Sequence, residues 1–267
     1  MVLLIDIGNT NIVMGCSDGE NILFRERFST NHTATKLEYA VILKTAFEMH
    51  GIDATKIEGA IISSVVPAVT AVLKNAIESL LSVRVMTVGP GLKTGLSIVI
   101  DNPAQLGSDL VVVAVACLNE YNTPLIIIDM GTATTVSAID SNKRFLGGAI
   151  LPGLAISHDA LVSKTSLLTK IAFEAPKNVI GTNTVDSIKS GMMYGTAGTL
   201  DGIVDRMRQE LGEDATVVAT GGLAHTVIPL CKNKIIVDDD LLLKGLMLIY
   251  NKNRSTKNNF GKFRSCF

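Results

Sequence analysis

Two stretches of the chain, "LLIDIGNTN" at 3–11 and "IIIDMGTAT" at 126–134, follow one pattern. Three apolar residues lead to an Asp, one spacer and a Gly, and then to small hydroxyl or amide side chains. This recurrence limits the fold more than any other feature, because each copy opens a similar order of elements. After the first copy the patterning predicts strands at 2–6, 12–17 and 21–28, a helix at 36–50 and a strand at 57–64. A helix from Pro67 to about 82 and a strand at 83–88 complete that run. After the second copy it predicts strands at 124–131, 133–140 and 143–151, helices at about 153–168 and 184–211, and a strand at 215–222. A short helix, a strand at 234–238 and a helix at 241–250 finish the pattern. Two successive β-β-β-α-β-α runs make the fold class α/β, with two similar domains at 1–117 and 118–250. Residues 251–267 carry Lys252, Arg254, Lys257, Lys262 and Arg264 and no acid, and read as a solvated, disordered tail.

Composition excludes several function classes. With 24 basic and 25 acidic residues among 267, the chain has no field that would draw it to nucleic acid or to acidic membranes. Its longest apolar run, Leu110–Leu118, is too short to span a bilayer. An acid at position 6 breaks any secretory signal, so the expected compartment is the cytoplasm. Cys16, Cys117, Cys231 and Cys266 form no CxxC pair, which argues against a metal knuckle or a disulfide framework. His32, His50, His158 and His225 are dispersed and read as surface or satisfied histidines. No HExxH or GxSxG is present, and "VGPGLKTG" at 88–95 matches neither a P-loop nor a dinucleotide fingerprint.

The repeated turn has a chemical reading. A tight hairpin with Gly lets backbone N–H groups approach a phosphate, and Thr or Asn adds donors. The Asp can hold a cation or a water that the phosphate shares. A single Asp-x-Gly is ordinarily only a turn; two copies, at Asp6 and Asp129, suit a nucleotide triphosphate held between two domains. "VVATGGLA" at 217–224, a strand ending in Thr-Gly-Gly, suits a base or ribose lying against bare backbone. In "DNPAQLGSDLVVVAVACL" at 101–118, Asn102 and Pro103 read as the cap and first turn of an apolar helix that carries one acid, Asp109. On the residues alone Asp109 is either a first-turn acid favoured by the helix dipole or a base kept beside a dry wall.

Taken together and in order, these motifs resemble the type III pantothenate kinases of the acetate-kinase/actin/hsp70-like superfamily. "DIGNTNIVMG", "DMGTATTVSAID", "GGAILPGL", "IGTNTVDSIKSGMMYG", "ATGGLA" and "DLLLKGL" carry the likeness from Val2 to about Asn251. The resemblance implies two tandem RNase-H-like (actin-like ATPase) domains with a nucleotide cleft between them. It implies transfer of the ATP γ-phosphoryl group to the primary alcohol of pantothenate, the first step of coenzyme A synthesis. Mg²⁺ with the nucleotide, K⁺ or NH₄⁺ as activator, and a homodimer are implied as well. Carried residue by residue, Asp6, Ile7, Gly8, Asn9, Thr10, Asn11, Ile12 and Val13 form the first ATP loop, with Asp6 toward Mg-ATP. Thr132 touches ATP from the second loop and Asp129 holds the monovalent cation. Gly107, Ser108 and Asp109 line the pantothenate pocket with Thr184, and Asp109 takes the proton from the substrate hydroxyl. Thr184 also suits the N-cap of the helix that follows it.

The resemblance breaks at two positions of the substrate pocket. Leu110 stands where the family has Arg, and Ile100 where Tyr is usual. A weaker difference is "SLLTKIAF" at 166–173, where the family has a Leu-Pro. Losing one charge-assisted contact costs roughly 2–3 kcal/mol. Three readings therefore stand: a pantothenate kinase with an altered pocket, a kinase of another small alcohol, and a non-catalytic nucleotide-binding regulator.

Overall fold

A computed structural model describes residues 1–212 and 214–254. The chain divides into two compact units: Met1–Gly95 with Ala104–Ala116 and the segment from Asp240 onward, and Leu96–Pro103 with Cys117–Asp239. In the first unit β1 (Val2–Ile7), β2 (Asn11–Ser17) and β3 (Ile22–Ser29) are followed by α1 (Lys36–Met49), β4 (Gly59–Ser64), α2 (Pro67–Leu81) and β5 (Val85–Thr87). The sheet order is β3-β2-β1-β4-β5, antiparallel from β3 to β1 and parallel from β1 to β5. Every residue of β1 is buried, Asp6 included, as the apolar run Val2–Ile5 requires of a central strand covered on both faces. Leu3, Ile5 and Ile7 join Tyr39 and Leu43 of α1 and Leu73 and Ile77 of α2 in one core. By alternation, Leu4 and Asp6 face the other side of the sheet. Thr35 and Glu38 form a capping box at the start of α1, and Pro67 takes the first turn of α2.

Next come β6 (Ser97–Ile98), a 3-10 turn at Pro103–Gln105 and α3 (Ser108–Glu120). The helix start that Asn102 and Pro103 predict is thus displaced to Ser108. Pro103 opens a short turn of its own, and the first carbonyl to accept a bond in α3 is that of Gly107, from the Val111 N–H at 3.2 Å.

The second unit repeats the first. Its strands are β7 (Leu125–Met130), β8 (Ala133–Ile139), β9 (Arg144–Pro152), β10 (Thr216–Thr220) and β11 (Ile236–Val237). They stand in the order β11-β10-β7-β8-β9-β6, so β9-β8-β7-β10-β11 copies β3-β2-β1-β4-β5 and β6 adds one parallel edge strand. Its helices are α4 (Leu154–Ser163), α5 (Thr184–Leu211) and α6 (Ala224–Val227). Ile126, Ile128 and Met130 of β7 pack with Met193, Ala197, Leu200 and Val204 of α5. The helix predicted to 168 ends at Ser163, where the Lys164 N–H closes on Ala160 O at 3.2 Å.

The last helix, α7 (Leu241–Arg254), belongs to the first unit, although the sequence pattern places it with 118–250. Glycines make its seat. A Cβ at Gly15 would lie 2.7 Å from Leu243 Cδ1, and one at Gly59 2.2 Å from the Tyr250 hydroxyl. A Cβ at Gly245, in α7 itself, would lie 2.1 Å from Val112 O of α3. At the far end Lys252 Nζ donates to Thr94 O at 2.9 Å, and the Asn253 side-chain amide exchanges bonds of 3.0 and 2.9 Å with the Lys93 backbone. Of the tail read as 251–267, Asn251 to Arg254 complete α7 and the remainder lies outside the described residues.

Gly245→Ala forces α7 and α3 apart and is expected to cost about 1–3 kcal/mol, the range for overpacking a close contact. Urea unfolding measures it. An unchanged midpoint would mean that α7 can withdraw from Val112 without loss.

Candidate active site

The first hairpin turn is built by its own backbone and braced by Thr30, the residue that follows β3. The Gly8 N–H donates to Asn11 O at 3.0 Å, and a Cβ at Gly8 would stand 3.1 Å from that oxygen. Thr30 Oγ1 donates to Gly8 O at 2.7 Å, and the Thr30 N–H to Thr10 O at 2.9 Å. Asn9 and Thr10 are left exposed at the tip. Asp6 is only 7% exposed and pairs in register with Val13 on β2 and with Ser63 on β4. Of these groups Thr30 and Ser63 are not singled out by the motif. Their roles depend on strand pairing, which a local pattern does not report.

The second turn is related but one residue shorter, since Asp129 pairs with Thr135 where Asp6 pairs with Val13. The Gly131 N–H donates to Ala133 O at 3.0 Å. Gly153, which precedes α4, donates its N–H to Thr132 O at 3.2 Å, and a Cβ there would come within 2.2 Å of the same oxygen. Thr132 itself is exposed. On the other side of β7, Thr220 at the end of β10 pairs with Asp129. Gly221 follows at φ +101°, close against the Met130 backbone, a conformation that suits glycine alone. The Thr-Gly-Gly motif thus stands beside the Asp129 strand. Thr135 Oγ1, opposite Asp129, is buried with no hydrogen-bond partner among the described residues.

At the start of α3, Asp109 is partly buried and its Oδ1 accepts the Leu110 N–H at 2.9 Å. A Cβ at Gly107 would lie 2.4 Å from that same oxygen, so a side chain at 107 would displace the carboxylate. Ser108 turns its hydroxyl onto β4, at Ser63 and Ser64. The two positions that depart from the family pattern fall in different units: Leu110 with Asp109 in the first, Ile100 in the second, where its Cγ2 lies against Gly147. Thr184 is exposed and is the first helical residue of α5, not its cap. The cap is Asn183, whose side chain accepts the Asp186 N–H at 2.9 Å.

Residues outside these clusters are occupied structurally. His158 Nε2 accepts the Ile171 N–H at 3.3 Å, His50 meets Glu26 at 2.8 Å and His225 meets Asp239 at 2.9 Å. Burial pushes the Cys16 thiol up to about 11 and the Cys231 thiol up to about 12, which leaves both poor nucleophiles at neutral pH. Among the described residues, no group of three or more His, Cys, Asp or Glu side chains is placed to hold a metal. Among them also, no helix is long and apolar enough to cross a membrane.

Comparison with known proteins shows the family. The type III pantothenate kinase family profile matches residues 2–206. The chain belongs to the type III pantothenate kinase family. A member from Exiguobacterium sp. is 45% identical over 254 residues, which cover 95% of this chain and 100% of that relative. Among solved structures, a candidate Baf family transcriptional activator from Campylobacter jejuni aligns with a TM-score of 0.59 at 21% identity, covering 95% of this chain and 99% of that one. The activator of 2-hydroxyisocaproyl-CoA dehydratase from Clostridium difficile, with bound ADPNP, aligns with a TM-score of 0.57 at 14% identity over 100% and 99%. These structures establish the fold, two tandem actin-like ATPase units, while the family assignment makes the chain a kinase.

Thr30→Val keeps the side-chain shape but removes the hydroxyl that braces Gly8. Losing one hydrogen bond, about 1 kcal/mol, is expected to weaken ATP binding roughly fivefold in a titration. Unchanged affinity would show that the turn holds itself.

Proposed function

We propose that the chain transfers the γ-phosphoryl group of ATP to the primary alcohol of pantothenate, opening coenzyme A synthesis. What carries the proposal is the family match, with a relative aligned over 95% of this chain, together with Asp109, kept at the start of α3 in the same unit as the first phosphate turn. Phosphoryl transfer proceeds through a loose transition state, so the acceptor oxygen gains charge late and a modest base suffices. Asp109 orients the hydroxyl and receives its proton. The apolar wall from Val111 to Cys117 beside it excludes water that would otherwise take the phosphoryl group.

In this proposal the exposed tip at Asn9 and Thr10 offers its N–H groups to the phosphates, and Thr132 adds a donor from the second turn. Mg²⁺ bound with ATP neutralises charge on the β- and γ-phosphates. Mg²⁺ keeps several waters and needs only one or two carboxylates beside the phosphates, a demand that Asp6 can meet. Asp129 holds K⁺ or NH₄⁺. A monovalent cation is satisfied by one carboxylate with hydroxyl and carbonyl oxygens, and the buried Thr135 Oγ1 opposite Asp129 supports that reading. Leu167, Val179 and Ile180, all exposed in the second unit, support a second copy of the chain as partner. The working compartment is the cytoplasm.

Leu110 and Ile100 favour a second reading, in which the acceptor is a more apolar alcohol. Their side chains cannot supply the charge-assisted and hydroxyl contacts that Arg and Tyr would give.

ADP release in the presence of pantothenate tests these assignments. Asp109→Asn is expected to lower kcat by about 10²–10⁴, the usual worth of a positioned base. A variant with full turnover would remove Asp109 from the chemistry. Turnover is expected to require K⁺ or NH₄⁺ over Na⁺, and Asp129→Asn to abolish that preference without unfolding the chain. If wild type is inactive and Leu110→Arg is active, the natural acceptor is another alcohol.

A further inference from the structure

We propose that Ser108 is a positioning residue that sets Asp109 against β4, the strand paired with the one that leads into the phosphate turn, and not a substrate ligand. The inference rests on the reading that Asp109 accepts the substrate proton. A serine at the start of a helix ordinarily serves N–H groups of its own first turn. Here the hydroxyl donates to Ser64 O at 3.0 Å and accepts from the Ser64 N–H and from Ser63 Oγ, each at 3.0 Å. Those partners lie 44 and 45 residues away in sequence. One donor and two lone pairs are all a hydroxyl has, so nothing remains for a substrate.

The anchorage is doubly fixed. Two of the three bonds go to the backbone of one residue, Ser64, the last of β4, which sets both the distance and the rotation of the helix start. Ser64 is held in turn: its Oγ accepts the Val66 N–H at 2.9 Å and lies 2.6 Å from Thr70 Oγ1 in α2. The third partner, Ser63, is fully buried and pairs in register with Asp6, while Ser64 pairs with Ile7. Parallel pairing turns Asp6 and Ser63 to the same face of the sheet. Ser63 therefore neighbours the acid of the phosphate turn on one side and bonds the residue before the base on the other. Asp6, Ser63, Ser108 and Asp109 form one connected series inside a single compact unit. Apolar packing of α3 alone would leave its start free to slide along the sheet, whereas the directional bonds of Ser108 do not.

Transfer needs the acceptor oxygen nearly in line with the γ-phosphate, and a displacement of about 1 Å at the base costs on the order of 10²-fold in rate. Ser108→Ala is expected to lower kcat about 10–100-fold on that basis while leaving KM for ATP unchanged. Ser108→Thr, which keeps the hydroxyl, restores most of the rate. In the Asp109→Asn background Ser108→Ala is expected to change nothing further, because the two residues act as one device. Wild-type kcat in Ser108→Ala, with Asp109→Asn inactive, would overturn the proposal. So would a loss that multiplies unchanged into the Asp109→Asn background, which marks general destabilisation. Full turnover by Asp109→Asn itself would overturn the proton-acceptor reading, and the inference with it. Should Ser108→Ala fail to fold by thermal unfolding, Ser63→Ala, which removes one bond of the three, carries the same comparison.

Discussion

The parallel pairing of β1 with β4, and its copy in β7 with β10, decides where the acids of the candidate site stand. In the first unit the register sets Asp6 beside Ser63, and in the second it sets Asp129 beside Thr220. Both acids thus lie near the carboxyl ends of parallel strands, where open α/β sheets bind their ligands. Both are followed two residues later by a glycine whose N–H closes the turn, at Gly8 and Gly131. A one-residue shift of either central strand would turn its acid into the core that now holds Leu3, Ile5 and Ile7 or Ile126, Ile128 and Met130, so the acids are held in place by the whole core.

What the sequence shows directly is what depends on neighbours along the chain. Asp6 and Asp129 are legible because their turns are local, and α5 because its run from 184 to 211 holds no proline, although its cap is Asn183 and not Thr184. The start of α3 is misplaced because Pro103 is a strong local signal for a helix, yet here it opens only a 3-10 turn. The grouping of α7 with the first unit is hidden for a different reason. Gly15, Gly59 and Gly245 matter for the room they leave under another element, and nothing in their own neighbourhood says so. Ser63, Ser64 and Thr30 are likewise silent as letters. Their hydroxyls acquire meaning only when strands far apart in the chain are laid side by side.

The departures from the family pattern separate chemistry from recognition. Asp109 keeps its crowded seat against Gly107 and its anchorage through Ser108, whereas the two altered positions, Leu110 and Ile100, are ones that the resemblance assigns to the substrate pocket. A chain released from catalysis has no reason to retain the proposed base, Asp109, in that seat. The physical account therefore favours an intact phosphotransferase whose pocket reads its alcohol with fewer directional contacts.

The most direct test follows the phosphoryl group itself. The chain is incubated with ATP labelled at the γ-phosphate, pantothenate, Mg²⁺ and K⁺, and the labelled products are separated. The account predicts that label appears in a phosphate ester of pantothenate, one for each ADP formed. Label recovered only as inorganic phosphate, or ADP formed at a rate indifferent to pantothenate, would contradict it.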